Sequence, residues 1–594
     1  LDREVFRGLL ESMGEAQTHR GPDGRGIFIS PDEKVGLAHT RLAIIDLSRS
    51  GNQPMRGGSG EVWISFNGEI YNFPELRAEL ERAGVIFRSR SDTEVILELF
   101  SRYGASSFNR LRGMFALALY DGPTGDLFLV RDRFGIKPLY YAEGNGEIVF
   151  ASNVKTLLES ERVRREPDPL APAAFLLSGS LPHPMTTLRD VRCLPPGSYA
   201  RFSGGKLSVH SFYTLDFSKK TEITQAEAAR ELRRLIEEAV VSHLLSDAPL
   251  GVFLSGGIDS SLLTALAAAY RNEPVTTLSV NFPDREFDEG PHQLAVASRC
   301  GTDHRTVRVT PEEVLARLPA FFGAMDQPSI DGLNTYVVSW AARKAGLKAV
   351  LSGVGGDELF GGYPFVRKYP WVKALLRFRP IVKGTAALLG SRYPKFHRLG
   401  GTMGHRSFGA YLAFRGLFGE RELAPVFGEE QVNGALEILA EPSRRLTSRI
   451  PADEIAELDI ECYLRNQLLK DSDALGMAHS IEIRVPFLDH PLVDFISALP
   501  ANVRASGTAP KPLLARACGD LLPGEIWTRR KQGFTFPFER WMRRELKAEF
   551  RKTAFADPRQ QAFFRKSLDG FLAGREHWSR PYAWYVLSRY LPGG

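Results

Sequence analysis

Pro249-Leu-Gly-Val-Phe-Leu254 runs directly into Ser255-Gly-Gly-Ile-Asp-Ser260, and a helical pattern over residues 262–270 follows. An apolar run of strand length, then two glycines among hydroxyl residues, then a helix is the setting in which a loop cradles phosphate. The glycines let the backbone approach closely, and the helix start supplies oriented N–H groups. Ser255, Ser260 and Ser261 add hydroxyls. No Lys follows the glycines, so this is not a Walker loop. A tight turn without a ligand is the plain alternative; Gly-Gly alone would favour it, and the full Ser-Gly-Gly-x-Asp-Ser does not.

Working outward, a second strand at 275–282 falls at the spacing of one βαβ unit. A third, Lys348-Ala-Val-Leu351, ends in Ser352-Gly-Val-Gly-Gly-Asp-Glu358. Strands alternating with helices predict an α/β doubly wound parallel sheet with its ligand at the strand C-terminal ends. Asp259 is a candidate Mg²⁺ ligand, and Asp357 supplies the second carboxylate that holds such an ion against two phosphates. Before this unit, 226–245 reads as a long helix with Leu232, Leu235, Ile236, Ala239 and Val240 at helical spacing, and 215–224 as a polar linker. Residues 363–444 carry helical and loop signals without recognisable chemistry.

The first third has a different texture. Glu61-Val-Trp-Ile-Ser-Phe66, Gly113-Met-Phe-Ala-Leu-Ala-Leu-Tyr120 and Asp126-Leu-Phe-Leu-Val130 are short apolar runs, with hairpin signals at Asp121-Gly-Pro-Thr-Gly-Asp126 and Gly144-Asn-Gly146. Helices are predicted over 2–13, 74–83 and 92–103, giving an α+β domain of layered antiparallel sheets.

The whole chain fits this division. Its 594 residues are too many for one ordinary core, and 43% hydrophobic with 25% charged is the balance of a globular protein. A net charge of +6 suits an anionic small substrate as well as a polynucleotide, and no basic tract marks a nucleic-acid footprint. Four cysteines, Cys193, Cys300, Cys462 and Cys518, point to a reducing compartment, here the cytoplasm. No metal-ligand spacing appears among Cys or His, and no apolar run reaches the roughly 20 residues of a membrane span.

With the two Gly loops in place, the chain resembles the glutamine-hydrolysing asparagine synthetase family along nearly its full length. The resemblance is carried also by His19-Arg-Gly-Pro-Asp-Gly24, His39-Thr-Arg-Leu-Ala-Ile-Ile-Asp46, Phe66-Asn-Gly-Glu-Ile-Tyr-Asn72, Ser91-Asp-Thr-Glu94 and Arg131-Asp-Arg-Phe-Gly-Ile-Lys-Pro138. Met477-Ala-His-Ser-Ile-Glu-Ile-Arg-Val-Pro-Phe-Leu-Asp489 and Lys531-Gln-Gly-Phe-Thr-Phe-Pro537 complete it. It implies a class II glutaminase domain of the N-terminal-nucleophile type over 1–214 and an ATP-pyrophosphatase synthetase domain over 225–594. Ammonia released from glutamine passes internally between them. ATP and Mg²⁺ are the implied cofactors. Glutamine or ammonia and aspartate or another carboxylate are the implied substrates, with no nucleic acid or membrane partner; a homodimer is compatible.

On the glutaminase side the resemblance implies that Arg41, Asn67, Gly68, Glu69 and Asp92 bind glutamine, with Asn67 and Gly68 as oxyanion donors. The bland readings are a surface ion pair for Arg41, a hairpin turn for Asn67-Gly68 and a helix cap for Asp92. The family's nucleophile is a Cys at the mature N-terminus. This chain starts Leu1-Asp-Arg and lacks it, so truncation or natural loss is expected, with no glutaminase turnover from these 594 residues. On the synthetase side the resemblance makes Lys511 and Glu482 catalytic. Leu254, Ser255, Gly256, Gly257, Asp259, Ser260, Val280, Ser352 and Gly353 bind ATP, and Asp259 and Asp357 hold the metal. A solvated charge competes for Lys511, and an ion pair with Arg484 for Glu482.

One position departs. The family carries Asp or Glu between the first two glycines of the second loop, and this chain has Val354. A carboxylate there steers the incoming amine or takes its proton, and valine does neither. Asp326-Gln327-Pro328 departs too, from the family's Asp-Glu-Pro. The leading implication is conversion of aspartate to asparagine through an acyl-adenylate. The alternatives are amidation of a different carboxylate and a non-catalytic binding homologue.

Overall fold

The computed structural model describes every residue except 1, 59, 284, 285, 287, 288, 379–405, 506, 508, 530–535 and 591–594. Most of the motif at 531–537 therefore lies outside the described residues.

The first part of the chain is antiparallel. Strands β1 (Gly24–Ile29) and β2 (Gly36–Arg41) form a pair. Strands β3 (Met55–Arg56), β4 (Val62–Ile70), β5 (Gly113–Asp121) and β6 (Asp126–Arg131) continue into a larger sheet. Strands β7 (Tyr140–Gly144), β8 (Glu147–Ala151) and β9 (Val191–Cys193) make a third, and β10 (Ser198–Ser203) and β11 (Lys206–Ser211) close the large one in the order β11-β10-β6-β5-β4-β3.

The unbroken apolar run of β5 follows from its two covered faces. Phe115, Leu117 and Leu119 join Val95, Ile96 and Phe100 of the helix Asp92–Tyr103, whereas Ala116, Ala118 and Tyr120 join Leu37, Leu139 and Tyr141 of neighbouring strands. Period-two alternation between two apolar partners leaves no polar face for the sequence to show. The helices differ from expectation only at their ends: Arg3–Ala16 is capped by Asp2, and Asp92–Tyr103 by Ser91.

Residues 212–224 have no regular structure. They are not a loose linker, however. Leu215 and Phe217 are buried in the following core, and Lys220 pairs with buried Asp453 at 3.1 Å. The helix Gln225–His243 then starts from a capping box of Thr224 and Glu227.

The second part is built on a five-stranded, all-parallel sheet. Its strands are β12 (Leu250–Phe253), β13 (Thr276–Asn281), β14 (Asp303–Arg308), β15 (Ala349–Leu351) and β16 (Glu482–Arg484), in the order β14-β13-β12-β15-β16. The order reverses direction between β12 and β15, so the connections after these strands part to opposite sides and open a crevice at their C-terminal ends. Helices from 406 to 587 complete the largest core. No helix among the described residues is long and apolar enough to cross a membrane.

Candidate active site

Two cavities hold most of the candidate residues. The nucleotide-side cavity, about 450 Å³, lies at the β12/β15 crevice. After β12 the chain turns through Gly256, whose φ of +73° suits glycine, and enters the helix Ile258–Tyr270 at once. The helix begins four residues earlier than its apolar pattern indicates, which places Asp259 in its first turn. The Ser255 and Ser260 hydroxyls lie 2.9 Å apart, and the Ser255 N–H donates to Ser260 Oγ at 3.1 Å. Leu254, Ser255, Gly257, Asp259, Ser260, Val280, Ser352 and Gly353 all line the cavity. Gly256 stands behind it, its carbonyl accepting from Arg529 at 2.8 Å.

The loop after β15 packs onto the first. A Cβ at Gly353 would sit 2.8 Å from Asp259 Cβ, and one at Gly356 2.7 Å from Asp259 Cγ, so both glycines are required by close approach. Asp357 opens the short helix Gly356–Phe360 beside Asp259. Lys511 joins them from a distant part of the sequence. Its ammonium lies 2.5 Å from Asp259 Oδ2 and 2.8 Å from Asp357 Oδ1. Burial pulls its pKa down, but the two carboxylates together outweigh burial and hold it above the ordinary lysine value. The solvated-charge reading of Lys511 is therefore excluded; it is 4% exposed.

Two carboxylates at one point, beside backbone and hydroxyl donors, match the way Mg²⁺ is held with phosphate oxygens completing its shell. No cluster of three or more ligand side chains exists among the described residues, so this fit depends on a nucleotide being bound. Glu358 also lines the cavity. Burial, then the nearby Asp357, pushes its carboxyl up to about 7, and the Tyr363 hydroxyl donates to it at 2.6 Å. Its signal was present in Gly-Gly-Asp-Glu358, but a lone Glu after an assigned metal ligand carries no chemistry by spacing alone. Val354 both lines the cavity and packs on the neighbouring core.

The second cavity, about 140 Å³, lies between the antiparallel sheets. Ser65, Asn67 and Glu69 point into it from alternate positions of β4, and Ala116 and Ala118 of β5 are small enough to leave the space. Asn67-Gly68 is no hairpin turn; it lies inside β4, opposite Ala116 and Phe115. Gly68 is dictated by a φ of +145° and by a Cβ that would stand 2.0 Å from the Met114 carbonyl. The Asn67 Nδ2 is buried without a hydrogen-bond partner. An unsatisfied buried amide donor is costly, and Asn67 lines the cavity.

Asp92 lines the same space and accepts from the Ile70 N–H at 3.0 Å; burial raises its carboxyl to about 6. Ser91, one residue earlier, is the actual helix cap. Arg41 is 8% exposed and not a surface ion pair. Its guanidinium donates to the carbonyls of Ile45 and Ser48 and to the Asn52 Oδ1. That arrangement also shapes the 45–52 loop around the cavity. None of the four cysteines lines this cavity, and Cys193 is buried where Arg131 donates to its sulfur at 3.0 Å.

Glu482 lies on the wall of this second cavity rather than the nucleotide one, bonded to Arg484 at 2.9 Å and 3.4 Å from Lys137. It belongs to a buried ionic seam between the two parts of the chain. Arg20 pairs with Asp473 at 2.7 Å, Glu69 with Arg484 at 3.3 Å, and Arg112 with Asp489. The N-terminal motifs thus supply half of an interface that their spacing in sequence does not reveal. Gln327 serves it too: its Oε1 accepts from the Thr187 N–H at 2.9 Å.

Comparison with known proteins covers both parts of the chain. Residues 231–589 match the family described as Asparagine synthase, and residues 2–213 that described as Glutamine amidotransferase domain. Asparagine synthetase [glutamine-hydrolyzing] 1 of Bacillus subtilis (strain 168) is 31% identical over 94% of this chain and 88% of its own length. A putative asparagine synthetase [glutamine-hydrolyzing] of Mycobacterium tuberculosis (strain ATCC 25618 / H37Rv) is 34% identical over 88% of this chain and 83% of its own. Amidase chry2 of Gibberella zeae is 27% identical over 90% of this chain and 85% of its own. With a parallel sheet whose crevice holds both Gly loops and an antiparallel part matching an amidotransferase domain, the chain is a carbon–nitrogen ligase of the asparagine synthase family.

Proposed function

We propose that the β12/β15 crevice adenylates a carboxylate, and that ammonia then converts the acyl-adenylate to an amide. A carboxylate oxygen attacks the ATP α-phosphorus, the Pα–O–Pβ bond breaks, and pyrophosphate leaves. Ammonia next attacks the acyl carbon; the C–N bond forms, the C–O bond to AMP breaks, and AMP leaves with the electron pair. Asp259 and Asp357 would hold Mg²⁺, which neutralises charge on the phosphates. Lys511 stabilises charge building on the phosphate oxygens. Gly257, Ser255 and Ser260 orient them, and Glu358, which lines the same cavity, is placed to take a proton from the incoming amine where the family's loop acid is replaced by Val354. The observation that carries this reading is the convergence of Asp259, Asp357 and Lys511 at the crevice.

The cavity between the sheets is the glutamine site in this reading, with Asn67 and the Gly68 N–H as oxyanion donors and Asp92 facing the α-ammonium. Glu69 and Arg41 shape it. The path for ammonia in this reading runs between the two cavities. A small void shares Met477 with this cavity and Ser472 and Ile483 with the nucleotide cavity. The two catalytic units divide at 1–214 and 225–594.

Aspartate is the acceptor that the relatives' names suggest. Val354 favours a second reading, a different carboxylate, and the full-length likeness to a protein named an amidase is compatible with it. ATP–pyrophosphate exchange against a panel of acids tests the adenylation itself. Exchange should require Mg²⁺ and at least one acid; its absence with every acid, at intact ATP binding, would favour a binding homologue.

A further inference from the structure

The nucleotide cavity does not end at the crevice. A chamber of about 280 Å³ adjoins it, and Asp331, Asn334 and Tyr463 line both. Its other walls are aromatic, among them Phe408, Tyr411, Phe538, Trp578 and Tyr582. These rings hold one another: Phe538 meets Trp578 edge-on at 5.5 Å and Tyr582 at 4.8 Å. Rings fixed in this way form a preorganised surface for an apolar body, and cavities so lined take apolar ligands oriented by a few polar groups. A dry apolar cavity of about 150 Å³ accommodates benzene, so this chamber has room for a ring and its side chain.

One polar group on a lining residue has no partner. Tyr582 is 2% exposed, and its hydroxyl has no hydrogen-bond partner. Such a group costs about 1–3 kcal/mol in the empty protein, a cost that a ligand reaching it removes.

The cations nearby are already committed. Among the described residues lining the two spaces, each Lys and Arg is already held by a carboxylate. Lys511 lies between Asp259 and Asp357, Arg529 pairs with Glu289, and Arg415 makes two bonds to Asp459 at 3.0 and 3.1 Å while stacked on Tyr463. Among the described residues, no cation of these two spaces is left over for the second carboxylate of aspartate. A monocarboxylate has no such group to place.

We infer that the acceptor is a monocarboxylic acid with an aromatic body, seated in this chamber with its carboxylate directed past Asn334 and Tyr463 to the nucleotide. This rests on the adenylation reading of the same site and names its substrate class.

The test uses the full chain with ATP and Mg²⁺, 3-phenylpropionate and aspartate as probes, and two variants. Leu412→Trp fills the chamber. Tyr582→Phe removes only a hydroxyl that no protein group uses, so its Tm should equal or exceed that of the parent. Binding is read by calorimetry and adenylation by pyrophosphate exchange. The expected result is saturable binding of 3-phenylpropionate and exchange with it at least tenfold above that with aspartate. Tyr582→Phe should raise its KM several-fold at unchanged kcat, and Leu412→Trp should abolish its binding. Exchange with aspartate but no binding of 3-phenylpropionate overturns the chamber assignment and leaves adenylation standing. Binding of 3-phenylpropionate that Leu412→Trp abolishes, without exchange from either acid, supports the chamber and overturns adenylation. Equal behaviour of both variants and the parent toward 3-phenylpropionate also overturns the chamber.

Discussion

Lys511 adopts a φ of +52°, a left-handed conformation that costs a lysine about 1–2 kcal/mol. The surrounding structure enforces it because the side chain must reach two carboxylates from the start of the helix Pro512–Cys518. Lys511→Met should lower pyrophosphate exchange by about 10²–10³-fold, the range for losing one preorganised charge donor, measured at saturating ATP. Asp92 gives a second prediction, on pH. Its folded pKa is raised from 3.8 to about 6 by burial, so its contribution to stability is full below the unfolded value and is lost as pH rises through about 6. The swing is about 3 kcal/mol at most. Asp92→Asn should flatten the stability profile between pH 4 and 7 and make the protein more stable than the parent at pH 7.5, read by denaturant midpoints. A profile unchanged by the substitution would show that Asp92 is not the titrating group. At this scale the sequence was most informative where a residue's own backbone dictates its role. Glu482 shows the opposite case: its motif was visible, but the cavity it lines depends on β4 and β5, more than 360 residues away.

The two Gly loops are legible as elements because strand, loop and helix are consecutive, and their physics is local. What sequence could not show is that they pack on each other. Gly353 is glycine because Asp259 stands against it, a contact between strands neighbouring in the sheet but about a hundred residues apart. Gly353→Ala should displace Asp259 and cut exchange at least tenfold while the Tm shifts only a few degrees; equal exchange in parent and variant would separate Asp259's placement from activity. The same limit explains Asn67-Gly68. As a dipeptide it reads as a turn, yet the ladder with β5 keeps it extended, since a two-sided sheet overrides local turn preference. The short strands β14 and β16 were also missed. β14 is Asp303-His-Arg-Thr-Val-Arg308, a polar edge strand with no apolar pattern, and β16 is three residues long.

On the scale of the molecule, the two parts of the chain meet through buried charge. Arg20–Asp473 is 6% and 3% exposed, and such a pair is destabilising to break but not to replace. Arg20→Met and Asp473→Leu should each cost about 3 kcal/mol, and the double variant should cost clearly less than their sum. Additive losses would mean that the pair is not coupled. Lys137 and Asp473 of the seam also line the small void between the cavities. Composition and motifs announced two units and their chemistries. The seam was not announced, since the charged partners that cross it are separated by more than 330 residues and each looks like an ordinary charge.

The central claim is that Asp259, with Asp357 and Lys511, forms a metal-dependent adenylation centre at the β12/β15 crevice. Magnesium-dependent exchange of labelled pyrophosphate into ATP, in the presence of an accepted acid, tests it most directly when parent and Asp259→Asn are compared at equal folded fraction. Exchange in the parent and a loss of at least about a hundredfold in the variant are expected. Exchange in Asp259→Asn at the parent's rate, with the same magnesium dependence, would contradict it.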